Sequence, residues 1–160
     1  MRKSLSRVWI HDVVVAGIRE DADHYYPAES GGILLGYISD REAVITAFVD
    51  GGPRAIRLRD GFIPDQEYHV DSIARVYRDS GYQTTYLGDW HSHPDGPLAL
   101  SWRDRRTLRR IAGYREARLP TPVLIIIGGS NDWSIAAWTV YSKSCSIIRQ
   151  YPNLPIRTFP

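Results

Sequence analysis

The chain has 160 residues, 43% hydrophobic and 24% charged, a size and balance that suit one soluble globular domain and exclude disorder over most of its length. The formal net charge of +2 is too small to point to a nucleic-acid partner. The longest apolar run, Val123 to Ile127, falls far short of the roughly 20 residues that cross a bilayer, and the single cysteine, Cys145, excludes an internal disulfide and a cysteine-based zinc site.

The first residues, MRKSLSRVWIHDVVVAG, are basic, but His11-Asp12 interrupts the apolar stretch. No signal peptide and no membrane partner are expected, and the expected compartment is the cytoplasm. Lys3 and Lys143 are the only lysines against 18 arginines, a bias that arginine-rich codon usage explains most simply. There is no repeat, low-complexity tract or flexible linker, so a single domain over 1–160 is expected. Its core is placed at about 8–150, followed by a proline-rich C-terminal tail.

Val8-Trp9-Ile10 reads as a strand, and a short helix follows from about His11 to Arg19. Ile33 to Tyr37 reads as a buried strand, and the β-branched and aromatic segment Ala43 to Val49 as another. Asp50-Gly-Gly-Pro53 breaks it and opens a polar loop through Asp60-Gly61. From Asp65 to Asp79, Tyr68, Ile73, Val76 and Tyr77 recur at mostly helical spacing, with Ser80-Gly81 as the stop. Thr84 to Trp90 resembles a strand, and Pro94-Asp-Gly-Pro97 a turn. Ser101 is a good N-cap for a helix carrying Leu108, Ile111 and Ala112. Pro120 and Pro122 close that region. Val123 to Ile127 is a core strand, related as a hairpin to Trp133–Tyr141. Ser144 to Tyr151 is the last expected strand. Strands and helices mixed in this order predict an α/β (α+β mixed) sheet packed with two or three helices.

The segment that bears on chemistry is Trp90-His91-Ser92-His93-Pro94, with Ser101-Trp-Arg-Asp104 behind it. Alternate strand residues share a face, so His91 and His93 point the same way. The Pro-Asp-Gly-Pro turn lets the chain fold back and present Asp104 from the first turn of the next helix. Two imidazoles and one carboxylate are a ligand set for hydrolytic zinc, leaving a fourth position for water. Glu29, just before an apolar strand, is a candidate base. Taken singly these signals are weak. H-x-H occurs on ordinary surfaces, and Ser-x-x-Asp is also an N-cap with an acidic first turn.

Together, Glu29-Ser-Gly-Gly-Ile-Leu-Leu-Gly36, His91-Ser-His93-Pro94 and Ser101-Trp-Arg-Asp104 resemble the motif of the JAMM metalloproteases, the JAB/MPN family. That motif is a glutamate leading into a Gly-x-Leu-x-Gly strand, an H-[S/T]-H-P, and an S-x-x-D seven residues later. The resemblance spans roughly residues 27 to 140. It implies an MPN/cytidine-deaminase-like domain with a central mixed sheet flanked by helices. It implies Zn2+ held by His91, His93 and Asp104, Glu29 as general base, and Ser101 as donor to the oxyanion. It implies hydrolysis after the C-terminal glycine of a ubiquitin-like protein or its conjugate. The alternative is a non-catalytic scaffold that binds such a tail.

Tyr86-Leu-Gly-Asp-Trp-His-Ser-His-Pro94 and the segment Phe62 to His69 are similar to the short bacterial members of the family, found in anti-phage (CBASS-like) or ubiquitin-like conjugation operons. The resemblance therefore implies activating-type or conjugating-type enzymes, or a nucleotidyltransferase conjugate, as partners. It places the groove for the tail between the loop Gly51–Asp65 and the segment Gly113–Thr121, the tail adding as a strand. The seven arginines from Arg103 to Arg118 read first as a solvated helix face and second as a surface for an acidic partner. Nucleic acid is disfavoured because base-stacking aromatics are not interleaved with them.

Overall fold

The structure is a computed structural model that describes residues 4–142 and 148–160. Residues 144–147, the first half of the strand expected over Ser144–Tyr151 and including Cys145, lie outside the described residues. In chain order the elements are β1 (Arg7–His11), α1 (Asp12–Tyr25), β2 (Gly31–Ser39), β3 (Glu42–Val49), β4 (Ile56–Leu58), β5 (Gly61–Ile63), α2 (Gln66–Asp79), β6 (Thr85–Pro94), α3 (Trp102–Gly113), a 3-10 turn (Arg115–Ala117), β7 (Val123–Gly129), β8 (Ser134–Thr139), β9 (Tyr141–Ser142), β10 (Arg149–Gln150), β11 (Asn153–Leu154) and β12 (Ile156–Phe159). Eight strands form one mixed sheet in the order β11-β8-β7-β6-β2-β3-β1-β12.

Period-two alternation divides the side chains of the central strands between two faces. Leu34, Trp90, Ile125, Ile127 and Ala137 pack with Val14, Val15, Ile18 and Ala22 of α1 in the largest core cluster. On the other face Leu124 and Ile126 pack with Leu108 of α3, and Ile33 and Leu35 with Ile73 and Val76 of α2. α2 and α3 therefore cover separate parts of that face, over β2 and over β7. The row Asp89, His91 and His93 of β6 runs between them. Burying a Leu or Ile side chain contributes on the order of 2 kcal/mol, so these three clusters supply most of the favourable side of folding.

The helix expected to end near Arg19 continues to Tyr25. Glu20, Asp21 and Asp23 look like a polar stop, but Ala22 keeps the buried stripe of Val14, Val15 and Ile18 going for one more turn. Tyr26 then turns extended, as expected of a residue before proline. The loop expected over 50–61 contains half of a small hairpin. β4 and β5 pair antiparallel, with Leu58 opposite Gly61, around a turn at Arg59-Asp60.

The proline-rich tail is not an appendage. β11 pairs with β8 at one edge of the sheet, and β12 pairs in parallel with β1 at the other. Only Pro155 separates them, so the sheet curls until consecutive residues of one segment reach both edges. Leu154 is buried in the α1-side core, and the Val8 amide donates to the Pro155 carbonyl at 2.9 Å. The expected core limit near residue 150 is overtaken for a physical reason. Proline cannot donate to a ladder, but it is tolerated on edge strands and corners, which is where Pro152 and Pro155 lie.

Two measurements follow from this packing. Leu154→Ala removes the apolar anchor of the clasp and lowers unfolding free energy by about 3 kcal/mol, read by urea titration. Asp65 caps α2 and accepts two hydrogen bonds from the Arg54 guanidinium at 3.0 Å, and that partner holds its carboxyl at about 2. The folded pKa lies below the unfolded value of about 3.9, so this stabilisation is present above pH 4 and is lost as pH falls toward 2. Asp65→Asn lowers the melting temperature at neutral pH, and the gap from the parent closes between about pH 5 and pH 2.

Candidate metal centre

The centre is built by one βαβ unit. β6 and β7 are parallel neighbours, and α3 is the crossover between them. The carboxyl end of β6 and the amino end of α3 therefore face the same point, the usual location of ligand sites in such sheets. The turn between them contains Asp95 in the left-handed region (φ 55), and the Tyr26 hydroxyl donates to Asp95 Oδ2 at 2.9 Å. That bond fastens the turn to the chain just beyond α1.

His91, His93 and Asp104 converge as the spacing predicts, with one ligand atom from each within 4.8 Å of the others. The two Nε2 atoms lie 3.0 Å apart, and Asp104 Oδ1 is 3.1 Å from His91 Nε2 and Oδ2 3.7 Å from His93 Nε2. His93 Nδ1 is 2.8 Å from the Pro97 carbonyl. A carbonyl only accepts, so Nδ1 carries the proton and Nε2 presents a lone pair to the centre. A lone pair aimed at a second imidazole nitrogen and a carboxylate is a donor set shaped for a cation. In a tetrahedral site with metal–nitrogen bonds of about 2.0–2.1 Å, two ligand nitrogens stand about 3.3 Å apart. The residues present fit a divalent metal ion.

Asp104 is held in place by a capping box. Its amide donates to Ser101 Oγ at 3.2 Å, and the Ser101 amide donates to Asp104 Oδ2 at 2.7 Å. Burial pushes the Asp104 carboxyl up, but His91 and the Ser101 donors outweigh it and hold the group well below the ordinary carboxylate range. Burial and the neighbouring His91 both push His93 down, which keeps its ring neutral and able to ligate.

Glu29 arrives through sheet register. Gly31 sits opposite His91 in the β2–β6 ladder. The Ser92 amide donates to the Ser30 carbonyl at 2.8 Å, and the Ser30 amide to Ser92 Oγ at 2.9 Å. Glu29 therefore stands across from His93, on the face that carries both imidazoles. It is half-buried, and burial raises its pKa, with His91 pulling it down and Asp104 pushing it up. Two glycines permit this register. A Cβ on Gly32 would lie 1.8 Å from the Val49 carbonyl oxygen, close to the Trp90 indole that donates there. Gly88 (φ 142) sits where the register shifts, and a Cβ on it would meet the Val123 carbonyl oxygen at 1.8 Å.

Sequence reasoning missed the hairpin beside this centre. The Glu29 amide donates to the Leu58 carbonyl at 2.8 Å, and the Arg103 guanidinium to the Asp60 carbonyl at 3.0 Å. The hairpin is thus tied to Glu29 and to α3. Ile56, Leu58 and Ile63 remain exposed on it. The Asp60-Gly61 dipeptide between Ile56/Leu58 and Phe62/Ile63 was the available signal for a tight turn, which the structure centres one residue earlier, on Arg59-Asp60. Of the tryptophans near the expected groove, Trp90 and Trp133 are core residues, and Trp102 is 67% exposed beside Asp104.

Residues 11–141 match the family model described as prokaryotic homologs of the JAB domain. The chain is 46% identical over 134 residues to the probable metalloprotease y4qB of Sinorhizobium fredii, covering 82% of each protein. It is also similar to proteins named CD-NTase/cGAS isopeptidase. The one from Vibrio cholerae is 28% identical over 110 residues, covering 69% of this chain and 68% of that protein. The one from Escherichia coli is 33% identical over 72 residues, covering 45% and 46%. The solution structure of protein DSY2949 from Desulfitobacterium hafniense shares the fold, with a TM-score of 0.70 at 16% identity, over 95% of this chain and 92% of that one.

The geometry predicts about one bound divalent metal ion per chain by elemental analysis. Excess of that ion raises the melting temperature by about 5–10 °C, the shift for a ligand near a hundred times its dissociation constant. His93→Ala and Asp104→Asn abolish both signals.

Proposed function

The chain belongs to the prokaryotic JAB family and is a JAMM-type metal-dependent hydrolase, and from that premise we propose that it is a zinc-dependent peptidase or isopeptidase cutting after the C-terminal glycine of a ubiquitin-like protein or its conjugate. The observation that carries this reading is the half-buried Glu29 carboxylate on the same sheet face as a complete His91, His93 and Asp104 donor set. A divalent ion held by those three residues supplies the Lewis acidity that makes water a usable nucleophile at neutral pH.

The protein's own groups do the rest. The Glu29 carboxylate takes the proton of the attacking water and later delivers it to the leaving nitrogen, and its raised pKa suits a group that must both accept and release a proton. Ser101 Oγ accepts the Asp104 amide through its lone pair, while its own proton serves the Asp104 carboxylate and must turn from it to donate to the developing oxyanion. The complete donor set favours catalysis over a scaffold that only binds.

The β4–β5 hairpin supports the substrate class. It is a two-stranded sheet of its own, so it offers an edge to an extended tail, and its exposed aliphatic residues adjoin Glu29. Relatives named CD-NTase/cGAS isopeptidase support a nucleotidyltransferase conjugate as a natural substrate, and the setting proposed for it is a cytoplasmic anti-phage system. Glu29→Gln keeps its zinc by elemental analysis and slows cleavage of a ubiquitin-like precursor fusion by roughly 10²–10⁴. Cleavage at the parental rate by that variant removes Glu29 from the role of base.

A further inference from the structure

α3 carries a charge pattern that catalysis does not use. Arg103, Arg105, Arg106, Arg109 and Arg110 are all exposed and fan over the arc opposite its buried residues Asp104, Leu108 and Ile111. Between Ser101 and Asn131 the only carboxylates are Asp104, which faces the metal centre, and Glu116, which accepts from the Tyr114 hydroxyl. Among the described residues no carboxylate lies in ion-pair range of any of the five arginines.

This arrangement works against the helix. Arginines three and four residues apart repel along its surface. Arg103 and Arg105 stand in or next to the first turn, where the helix dipole already disfavours positive charge. A solvated face would be more stable with alternating signs, so the pattern calls for an external counter-charge. Its position says which one. Arg103 bonds the hairpin tip and bears electrostatically on Glu29, and Arg110 bears on Asp89, two residues before His91. Arg103, Arg106 and Arg110 thus form a stripe, three and then four residues apart, along the wall of the valley that holds the metal centre. The hairpin offers aliphatic side chains at one end of that valley, and the helix offers guanidinium groups along its side. A phosphate backbone is the poorer match. The Asp104 amide in the first turn is already capped by Ser101, and the five arginines occupy one helix about 18 Å long on a nearly neutral chain.

We propose that the arginine face of α3 is a docking surface for a carboxylate-rich face of the protein joined to the ubiquitin-like tail, the part of the substrate released by cleavage. This rests on the peptidase reading above and adds the chemistry of the leaving partner. Rim charges of this kind set partner choice and encounter rate.

The probes are fluorescein-labelled ubiquitin-like precursors whose C-terminal glycine is followed by a short segment of alternating Glu and Gly, Gln and Gly, or Lys and Gly. Binding is read by anisotropy on the full-length Glu29→Gln protein. The Glu segment binds about tenfold more tightly than the Gln segment, and added salt erodes the difference. Arg106→Glu with Arg110→Glu reverses the order in favour of the Lys segment, and Arg106→Gln with Arg110→Gln levels it. Circular dichroism melts verify that each variant is folded. Equal affinity for the three segments, an order that survives charge reversal, or displacement of the Glu segment by a duplex oligonucleotide that itself binds more tightly overturns the proposal. Cleavage of the same three fusions by the unsubstituted protein tests the peptidase reading separately, since binding preference is measured without turnover.

Discussion

The register between β2 and β6 is the constraint on which the centre depends. Gly31 opposite His91 puts Glu29 opposite His93, and the Ser30–Ser92 hydrogen bonds lock that alignment inside the protein. A slip of one residue would turn the whole row of β6 side chains to the other face. His91 and His93 would then point into the α1-side core, and Trp90 would enter the valley. The close approach of Gly32 to Val49 and the bulge at Gly88 are tolerable only without a side chain. Backbone fit in the sheet is thus inseparable from the placement of the chemistry.

The second determinant is the crossover. A parallel β6–α3–β7 unit returns the chain past the end of β6, so a helix N-terminus meets the strand that carries the histidines. The Ser101–Asp104 capping box then serves two purposes. It satisfies donors at the start of α3, and it holds the carboxylate at 3.1 Å from His91 Nε2. A stable helix start and an oriented ligand come from the same pair of residues. The same economy appears in the hairpin, whose backbone carbonyls fix Glu29 and Arg103 while its aliphatic side chains stay exposed.

The α1-side core lies on the sheet face opposite the metal centre, and the C-terminal clasp lies at the two edges of the sheet. Buried Leu154 joins β8 and β1 through a segment of two short strands. The arginines of α3 add like-charge repulsion to a helix whose buried side is firmly packed. A surface of this kind is affordable only where the opposite face carries the anchoring contacts.

Much of the centre was legible in the residues themselves. Glu29 was singled out beside the other residues by the family resemblance, whereas H-x-H on a strand and Ser-x-x-Asp at a helix start follow from local geometry, in which a period of two or a cap fixes direction over a few residues. The helical stripe of α2 and the core strand Val123–Ile127 were legible for the same reason. Tertiary structure alone decided the rest. The extra turn of α1 depends on what Ala22 packs against, and the β4–β5 hairpin depends on hydrogen bonds to Glu29 and α3. The clasp of Asn153 to Phe159 depends on two sheet edges being brought within reach of one segment. The clasp is not written in local periodicity, because its energy comes from contacts between residues distant in the chain, and such contacts exist only once the sheet has closed.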